Sequence, residues 1–457
     1  MKTIVEPARE VPVVRDVDVC VLGGGPGGIT AAWQAAKHGA KTLLVEHYGF
    51  LGGMATAGLV GPILGLREVG KDAATVEGMT REFADLMLSL GAGRPWEEHV
   101  RTGCIPFEAE TFKLACDQMC GRYGVDLLLH STAVGAVVEE GALRAVTIEN
   151  KSGRQAIMAK CFVDATGDAD IAFRAGAECT LGRPVDNMPM ANGSTFHVGG
   201  LENLTDEMRK AAAQVMDEAR QEGIIKVYGL GVGGQGSTLR AGFTSINCTR
   251  WPGNPADVEV LTEGEVYTRD MIHRIVKLWR ERVPGMENAY LALTPTQLGL
   301  RESRQLVGEK RVVGADVVEG KKLADAVARC SYWIDIHCPR GFAAPGVHLC
   351  WKKCAQTDCY MMTEHMDMLP DELYPPDYFD IPYGALVPAK LDNLLVSGRC
   401  CSLDYQAMSA ARVMGPVMAI GEACGVAAAM AADGRKAPRE VEVEALREKL
   451  LAAGCVC

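Results

Sequence analysis

The chain of 457 residues is long enough for two domains, and its hydrophobic share of 48% is ample for a packed core. A formal net charge of −11 argues against a nucleic-acid-binding protein. The chain has no uninterrupted apolar run of about 18 residues, the length of a membrane span. The N-terminal stretch carries Glu6, Pro7 and Glu10 where a signal peptide needs an apolar core. We therefore expect a cytoplasmic protein without a membrane span, and we expect its 17 cysteines to be thiols.

The first unit along the chain is a strand, a glycine-rich turn and a helix. "VDVCVLG" is a short β-branched run typical of a buried parallel strand. Gly23, Gly25 and Gly28 follow in Gly-x-Gly-x-x-Gly spacing, which allows a tight turn, backbone approach to a pyrophosphate and close packing of helix on strand. "GGITAAWQAAKHGA" then predicts the helix, and "KTLLVE" predicts a second strand ending at Glu46, where a carboxylate can accept from ribose hydroxyls. This order predicts a dinucleotide site.

NAD and FAD share this unit, and a second glycine pair distinguishes them. Gly52 and Gly53 come just after the second strand, where a simple nicotinamide domain has no use for them. A flavin laid across the sheet needs small residues beneath its ribityl chain and pyrophosphate. The pair therefore favours FAD.

With these residues the chain resembles the FAD-dependent oxidoreductase family of the glutathione-reductase-like flavoprotein superfamily. The block over 6–60 resembles the family almost throughout, and three later blocks follow in family order: "KCFVDATGDADIAFRAGAE", "TQLGLRESRQLVGEKRV" and "IPYGALVPAKLDNLLVSGRCCSLDYQAMSAARVMGPVMAIGEACGVAAAMAA". The resemblance implies non-covalent FAD and a two-electron redox reaction. It implies an α/β fold: a Rossmann-like FAD-binding domain with a β-meander, plus an inserted α+β substrate domain. It implies no substrate, because the family is functionally diverse.

The resemblance also implies the cofactor contacts. Thr166 and Gly167 would lie near the adenosine, and the backbone near Ala133 and Val134 would meet the adenine. The nearly uncharged helix that begins near Gly415 should be buried, with its N-terminus toward the pyrimidine end of the flavin. Arg412 would add a positive charge there or form a structural ion pair. The complete predicted set is Gly23, Gly25, Pro26, Gly27, Gly28, Glu46, His47, Gly52, Gly53, Met54, Ala55, Val134, Ala165, Thr166, Gly167, Gly398, Arg399, Arg412, Val413 and Gly415.

The remaining chain predicts how the domains are divided. "FEAETFKLACDQMCGRYG" predicts an amphipathic helix, and "VDLLLHS", "AVGAVVEE" and "LRAVTIENKSG" predict strands that include the β-meander. Asp168 is expected to cap the helix that follows it. We predict a discontinuous FAD domain (1–60, 105–175, 385–435), a substrate or cap domain (61–104, 176–384), and a C-terminal helix and tail (436–457).

Two other features allow alternatives. Gly231, Gly233 and Gly236 repeat the Gly-x-Gly-x-x-Gly spacing, but a strand-like run follows, which favours a plain glycine-rich turn. Electrons would then come from the substrate, a partner, or a pyridine nucleotide in the same cleft. Five cysteines crowd into the stretch 330–359 without a Cys-x-x-Cys pair, which favours buried thiols over a zinc site, an iron–sulfur cluster or a redox pair.

The candidate catalytic residues are His337, Tyr383, Tyr405 and Arg304. His337 is the preferred acid or base because imidazole titrates near neutral pH, and a buried core histidine is its alternative. Tyr383 and Tyr405 fall in blocks expected near the flavin, and His197 is a weaker candidate. Arg304 belongs to "RESR", whose arginines either bind an acidic substrate or, as we favour, tie the two domains together.

We therefore expect an enzyme that exchanges a hydride between flavin N5 and a small organic substrate, by dehydrogenation of a C–H bond or reduction of a C=C bond. The alternatives are a flavin subunit that relays electrons to a partner protein, and a flavoprotein without turnover. A carboxylate substrate is one option, and self-association stays open. The basic groups that suggest a carboxylate are Arg301, Arg304, Arg340, His348 and His365.

Overall fold

The computed structural model describes residues 2–227, 239–344 and 349–457. Their strands are, in chain order, β1 (Val13–Leu22), β2 (Thr42–Val45), β3 (Ile63–Leu64), β4 (Cys104–Ile105), β5 (Asp126–Leu128), β6 (Thr132–Glu139), β7 (Ala142–Asn150), β8 (Gly153–Asp164), β9 (Cys179–Leu181), β10 (Phe196–Gly199), β11 (Thr244–Ile246), β12 (Tyr290–Leu293), β13 (Arg304–Leu306), β14 (Ala326–Cys330), β15 (Phe379–Pro382) and β16 (Leu394–Val396).

The α-helices of the same residues are α1 (Pro26–Lys37), α2 (Met79–Ser89), α3 (Trp96–Thr102), α4 (Ala109–Tyr123), α5 (Asp170–Arg174), α6 (Asp206–Gln221), α7 (Val258–Arg282), α8 (Gly314–Glu319), α9 (Tyr360–Thr363), α10 (Tyr405–Ala411), α11 (Met414–Gly434) and α12 (Val443–Ala452).

A seven-stranded sheet forms the centre of the fold. Strands β5, β2, β1 and β8 run parallel in that order. The long strand β8 then has two neighbours on its other edge: β7 pairs antiparallel with its first half, and β16 pairs parallel with its end. Strand β6 completes the meander against β7. The predicted Rossmann-like α/β fold with a β-meander is confirmed.

Helix α11 packs directly against α1. All but three of its 21 residues are buried, as its apolar sequence predicts. The Thr30 hydroxyl of α1 donates to the Met418 carbonyl of α11 (2.8 Å), and a Cβ added at Gly421 or Gly425 would overlap the backbone of α1. Among the described residues, this helix alone is long and apolar enough to cross a membrane, yet 94% of its most apolar window is buried inside the fold.

A second, separate hydrophobic core lies under a three-stranded antiparallel sheet of β11, β10 and β12. Helices α6 and α7 cover it, with Phe196 and Trp279 among its fully buried side chains. The stretch 61–104, which we assigned to the substrate domain, contributes Phe83 and Trp96 to the larger core beneath the central sheet. The domain boundaries themselves stay a prediction.

Candidate functional site

A cavity of about 470 Å³ opens at the carboxyl ends of the parallel strands, the position where open α/β sheets bind ligands. Predicted cofactor residues from several parts of the chain line it together: Gly23, Gly25, Pro26, Gly27, Glu46, His47, Gly53, Met54, Ala165, Thr166, Gly167, Gly398, Arg399 and Arg412. The other predicted residues, Gly28, Gly52, Ala55, Val134, Val413 and Gly415, lie outside the lining.

The two glycine turns face each other across a narrow gap. Gly25 has an ordinary φ of −71°, and the nearest atom to an added Cβ would be the Cα of Gly53, at 3.9 Å. A side chain there would therefore project into the cavity and not into the protein. At Gly28 a Cβ would instead overlap the Gly23 carbonyl, so this third glycine serves helix–strand packing. The first turn of α1 has no side-chain cap, which suits backbone binding of phosphate.

Glu46 is a buried carboxylate held by backbone donors. Its Oε2 accepts from the Gly24 amide (2.7 Å), and its Oε1 accepts from the Tyr48 amide (2.9 Å). Burial opposes its ionisation, but His47 (2.8 Å) and these amides outweigh that effect and lower its pKa. An ionised acceptor is thus fixed at the end of β2, where a ribose is expected.

The turn after β8 corrects one sequence expectation. Asp164, not Asp168, caps α5: its Oδ2 accepts from the amides of Ile171 (2.9 Å) and Ala172 (2.8 Å). Asp168 instead lines the cavity and forms an ion pair with Arg399 at 2.6 Å.

Arg304 lines the same cavity while joining two parts of the chain. Its guanidinium donates to the Asp168 carbonyl (3.0 Å) and to Asp170 Oδ1 (2.9 Å), and it stacks over the Phe173 ring. These contacts tie β13 to the start of α5, and the domain-tying role that the sequence favoured for "RESR" stays a prediction. A catalytic role for Arg304 stays a prediction.

The turn between α10 and α11 brings a cation and a helix N-terminus to the cavity. Arg412 lines the cavity and also forms an ion pair with Asp335 Oδ2 at 3.0 Å, so a place at the cavity and a structural ion pair are not exclusive for this residue. Met414 and Val417, from the first turn of α11, line the cavity where Gly415 was expected. Gly415 packs against the Leu64 carbonyl. The N-terminus of a long helix favours negative charge, as flavin reduction requires.

His337 is connected to this turn without lining the cavity. Its Nε2 lies 3.3 Å from Asp335 Oδ2, the carboxylate that also holds Arg412. Burial lowers the pKa of His337 to about 3, against the opposing effect of Asp335. The pKa of Asp335 is held below its ordinary value, because His337 and Arg412 outweigh its burial. At neutral pH these three linked side chains are therefore a neutral imidazole (His337), a carboxylate (Asp335) and a guanidinium (Arg412).

Neither candidate tyrosine lines the cavity. Tyr383 is buried, and its hydroxyl donates to the Pro438 carbonyl (2.7 Å), a contact that anchors the C-terminal segment. Tyr405 borders a separate cavity of about 210 Å³ together with Arg183, and its buried hydroxyl has no hydrogen-bond partner among the described residues. Burial raises the pKa of both phenols. Their catalytic roles stay predictions without a cavity contact.

The remaining candidates are scattered. His197 is partly buried in β10, and burial lowers its pKa to about 4. Arg301 is buried and donates to the Ala191 carbonyl (3.0 Å) and to Asn247 Oδ1 (3.1 Å). The second glycine motif (Gly231, Gly233, Gly236) and His348 lie outside the described residues.

All 17 cysteines lie within the described residues, and none of them forms a disulfide there. Across residues 2–227, 239–344 and 349–457, no group of three His, Cys, Asp or Glu side chains is placed to hold a metal ion.

Several lining residues were missed by sequence reasoning. They are Val45, Tyr48, Ser131, Thr132, Asp168, Asp170, Arg174, Pro255, Ala256, Leu261, Gln297, Leu300, Ser397, Met414 and Val417. Gln297 and Leu300 stand in the "TQLGLRESR" block, so the motif itself was a usable signal. Pro255, Ala256 and Leu261 carry no signal in the sequence, because they reach the cavity only through the folding of the second core.

Comparison with known proteins agrees with the site geometry. A family model described as "FAD dependent oxidoreductase" matches residues 18–450. A digeranylgeranylglycerophospholipid reductase of Thermoplasma volcanium is 28% identical over 161 residues, covering 33% of this chain and 39% of the relative. A thiamine thiazole synthase of Methanococcus aeolicus is 29% identical over 180 residues, covering 38% and 61%. The chain thus spans less than two thirds of these relatives.

Among solved structures, a geranylgeranyl bacteriochlorophyll reductase-like protein of Thermoplasma acidophilum is 14% identical. The TM-score is 0.46, with 96% of this chain and 84% of that chain covered.

Proposed function

The chain belongs to the FAD-dependent oxidoreductase family, and on that premise we propose that it exchanges a hydride between bound FAD and a small organic molecule held beside the flavin. The reaction is either dehydrogenation of a C–H bond or reduction of a C=C bond. The digeranylgeranylglycerophospholipid reductase among the relatives supports the second direction. When bound, FAD supplies the two-electron chemistry, and the chain supplies orientation, charge and proton handling.

The observation that carries the proposal is the composition of the cavity at the carboxyl ends of the parallel strands. The glycine turns, Glu46 and the N-terminus of α1 suit a dinucleotide at one part of it. Arg412 and the first turn of α11 add positive potential elsewhere in the lining. Leu261 and Leu300 supply apolar surface from outside the Rossmann motifs, which suits a small organic molecule.

The chain's own residues then have distinct tasks in this proposal. The N-terminus of α1 binds pyrophosphate, and Glu46 accepts from a ribose. Arg412 stabilises negative charge that develops on reduction, and Asp335 fixes its position. His337, which is hydrogen-bonded to that aspartate, stays the proposed proton carrier, and this role is kept against two findings: burial lowers its pKa to about 3, and it does not line the cavity.

The substrate class is the least constrained part. Three of the four arginines of the lining are each bound to a carboxylate, so a carboxylate substrate finds those charges already compensated: Arg304 with Asp170, Arg399 with Asp168, and Arg412 with Asp335. The fourth, Arg174, donates to the Val134 carbonyl (3.2 Å). A thermal-shift screen of carboxylic acids, sugars and amines against the FAD-loaded protein tests this point. A ligand at 100 times its Kd should add about 2.7 kcal/mol of stability. A shift by neutral compounds alone would exclude the carboxylate.

Stopped-flow spectroscopy of the yellow protein tests the function. Rapid bleaching of the flavin by a small donor, or recolouring of reduced protein by a small acceptor, is the expected result. Bleaching by a partner protein alone would identify an electron-relay subunit instead, and colourless protein that takes up no added FAD would refute the proposal.

His337→Ala should lower the rate of flavin bleaching by about 10²–10⁴-fold while FAD content stays unchanged. His99→Ala is the matched control, because His99 is also a buried histidine whose pKa is lowered by burial, but it does not line the cavity. Equal rates for wild type and His337→Ala would make His337 a core residue.

A further inference from the structure

Glu302 of "RESR" is a fully buried carboxyl group that the proposed mechanism does not use. Its Oε2 accepts one hydrogen bond, from the Met190 amide (2.7 Å). Its Oε1 is buried and has no hydrogen-bond partner among the described residues. An isolated buried carboxylate is strongly disfavoured, because one hydrogen bond replaces little of its hydration.

The charges around Glu302 do not provide it with a counter-ion. Three arginines face it, from the segments that follow β16, α10 and β9. On its own segment, Arg301 is bound to a carbonyl and an asparagine, and Arg304 is bound to Asp170. Each of the three facing arginines already has an aspartate: Arg399–Asp168 (2.6 Å), Arg412–Asp335 (3.0 Å) and Arg183–Asp186 (2.7 Å).

Burial is therefore the dominant influence on the Glu302 carboxyl. It raises the pKa to about 8, against the smaller opposing effects of the Met190 amide and the arginines. A neutral acid at this position also has an O–H to donate. The Tyr405 hydroxyl, which is buried and without a partner among residues 2–227, 239–344 and 349–457, is its uncharged polar neighbour.

Glu302 is coupled to the cavity through two of these arginines. Arg399 and Arg412 both line the cavity, and Arg412 directly precedes the turn into α11. The Nε atoms of both side chains are buried without a partner in the described part of the chain. A change of charge on Glu302 therefore acts on the electrostatic potential at the flavin site without direct contact.

We propose that Glu302 is a positioning residue that holds a proton at neutral pH, and that its ionisation in alkaline solution places a negative charge beside Arg399 and Arg412 that makes bound flavin harder to reduce. The inference rests on the proposed function, because it takes the flavin ring to lie beside Arg412. Reduction adds negative charge to the site, so it strengthens proton binding by Glu302. Flavin reduction should then take up an additional proton above about pH 8.

The test is the midpoint potential of the bound flavin, measured by spectroelectrochemistry from pH 6 to 10. Wild type should show a steeper fall of potential with pH above about pH 8. In Glu302→Gln, whose amide imitates the neutral acid, the extra slope should vanish. The two potentials should agree at pH 7, and the variant should be easier to reduce at pH 10. Glu422→Gln is the matched control: Glu422 is also a buried carboxyl with a raised pKa, but it lies outside the cavity lining, so the wild-type slope should persist.

The outcomes separate the two hypotheses. Bound, reducible flavin whose wild-type potential shows no added slope above pH 8 overturns the role of Glu302 and leaves the proposed function standing. This measurement needs no variant, so it decides the matter even where Glu302→Gln fails to fold. An added slope that persists in a folded Glu302→Gln variant also overturns it. A chain that binds no FAD refutes both.

Discussion

Gly25→Ala separates a cofactor effect from a folding effect. The residue has φ −71° and ψ 179°, which alanine adopts freely, and the nearest protein atom to the new Cβ is 3.9 Å away. Alanine leaves the unfolded chain fewer backbone conformations than glycine does, which stabilises the folded variant by about 0.4–1 kcal/mol. Alanine is also a poorer N-cap residue than glycine, and this destabilises the variant by a similar amount. The free energy of unfolding of the apoprotein should therefore change by less than about 0.5 kcal/mol.

FAD binding by Gly25→Ala should weaken markedly. The methyl group occupies cavity space where a pyrophosphate must approach the backbone. Loss of one charge-assisted hydrogen bond costs about 1.5–3 kcal/mol, which is about 10- to 150-fold in Kd. Titration of the apoprotein with FAD, followed by flavin fluorescence, measures this, and urea unfolding measures stability.

Gly121→Ala is the control for that comparison. Gly121 lies in α4, is exposed and has open space around it, so alanine should stabilise the helix by about 1 kcal/mol and leave FAD binding unchanged. The reasoning is refuted if Gly25→Ala binds FAD as tightly as wild type, or if its apoprotein is destabilised by more than about 2 kcal/mol, the range of a substitution that strains the fold.

Three further predictions concern charge and thiols. His337→Gln should lose less free energy of unfolding than wild type when the pH falls from 6.5 to 5, as measured by urea unfolding. In wild type the pKa of His337 is lower in the folded state than its value of 6.5 in the unfolded state, so the fold loses stability as the pH falls below 6.5. Equal losses in the two proteins would contradict this prediction. Glu46→Gln should weaken FAD binding by about 10- to 150-fold in the same fluorescence titration, since the neutral amide accepts less strongly from the ribose, and an unchanged Kd would remove Glu46 from the site. A thiol reagent should count 17 thiols per chain after unfolding without reductant, and a count of 15 would reveal one disulfide.

Local patterns were sufficient for the parts of the fold that local chemistry decides. The Gly-x-Gly-x-x-Gly turn, its strand and helix, and the acid after β2 all follow from steric and hydrogen-bonding needs within 30 residues. Helix α11 was recognisable because it is apolar on every side. These elements place Gly25 and Glu46 in the cavity.

The direction of individual side chains was not available from the sequence. Tyr383 lies in a matching block, yet its hydroxyl binds Pro438, a residue 55 positions away. The sequence expected both Ala133 and Val134 near the adenine, yet only Ala133 lines the cavity, because neighbouring residues of a strand point to opposite faces. Asp164 takes the capping role that the sequence assigned to Asp168 for a similar reason: both can cap a helix, and only the backbone path decides which one does.

Two glycines of α11 are required by its packing against another helix, and not by the conformation of α11 itself. Gly421 and Gly425 are four positions apart, so they lie on one face of the helix, and that face meets the backbone of α1. Without Cβ atoms between them the two helices approach closely, and Thr30 can bond directly to the Met418 carbonyl (2.8 Å). This close packing brings both uncapped N-terminal turns to the same cavity, where their partial positive charges add. The apolar character of α11 is therefore explained by burial against both the sheet and α1, and Gly421 and Gly425 are explained by the close approach of α11 to α1, which sets both helix N-termini at the cavity.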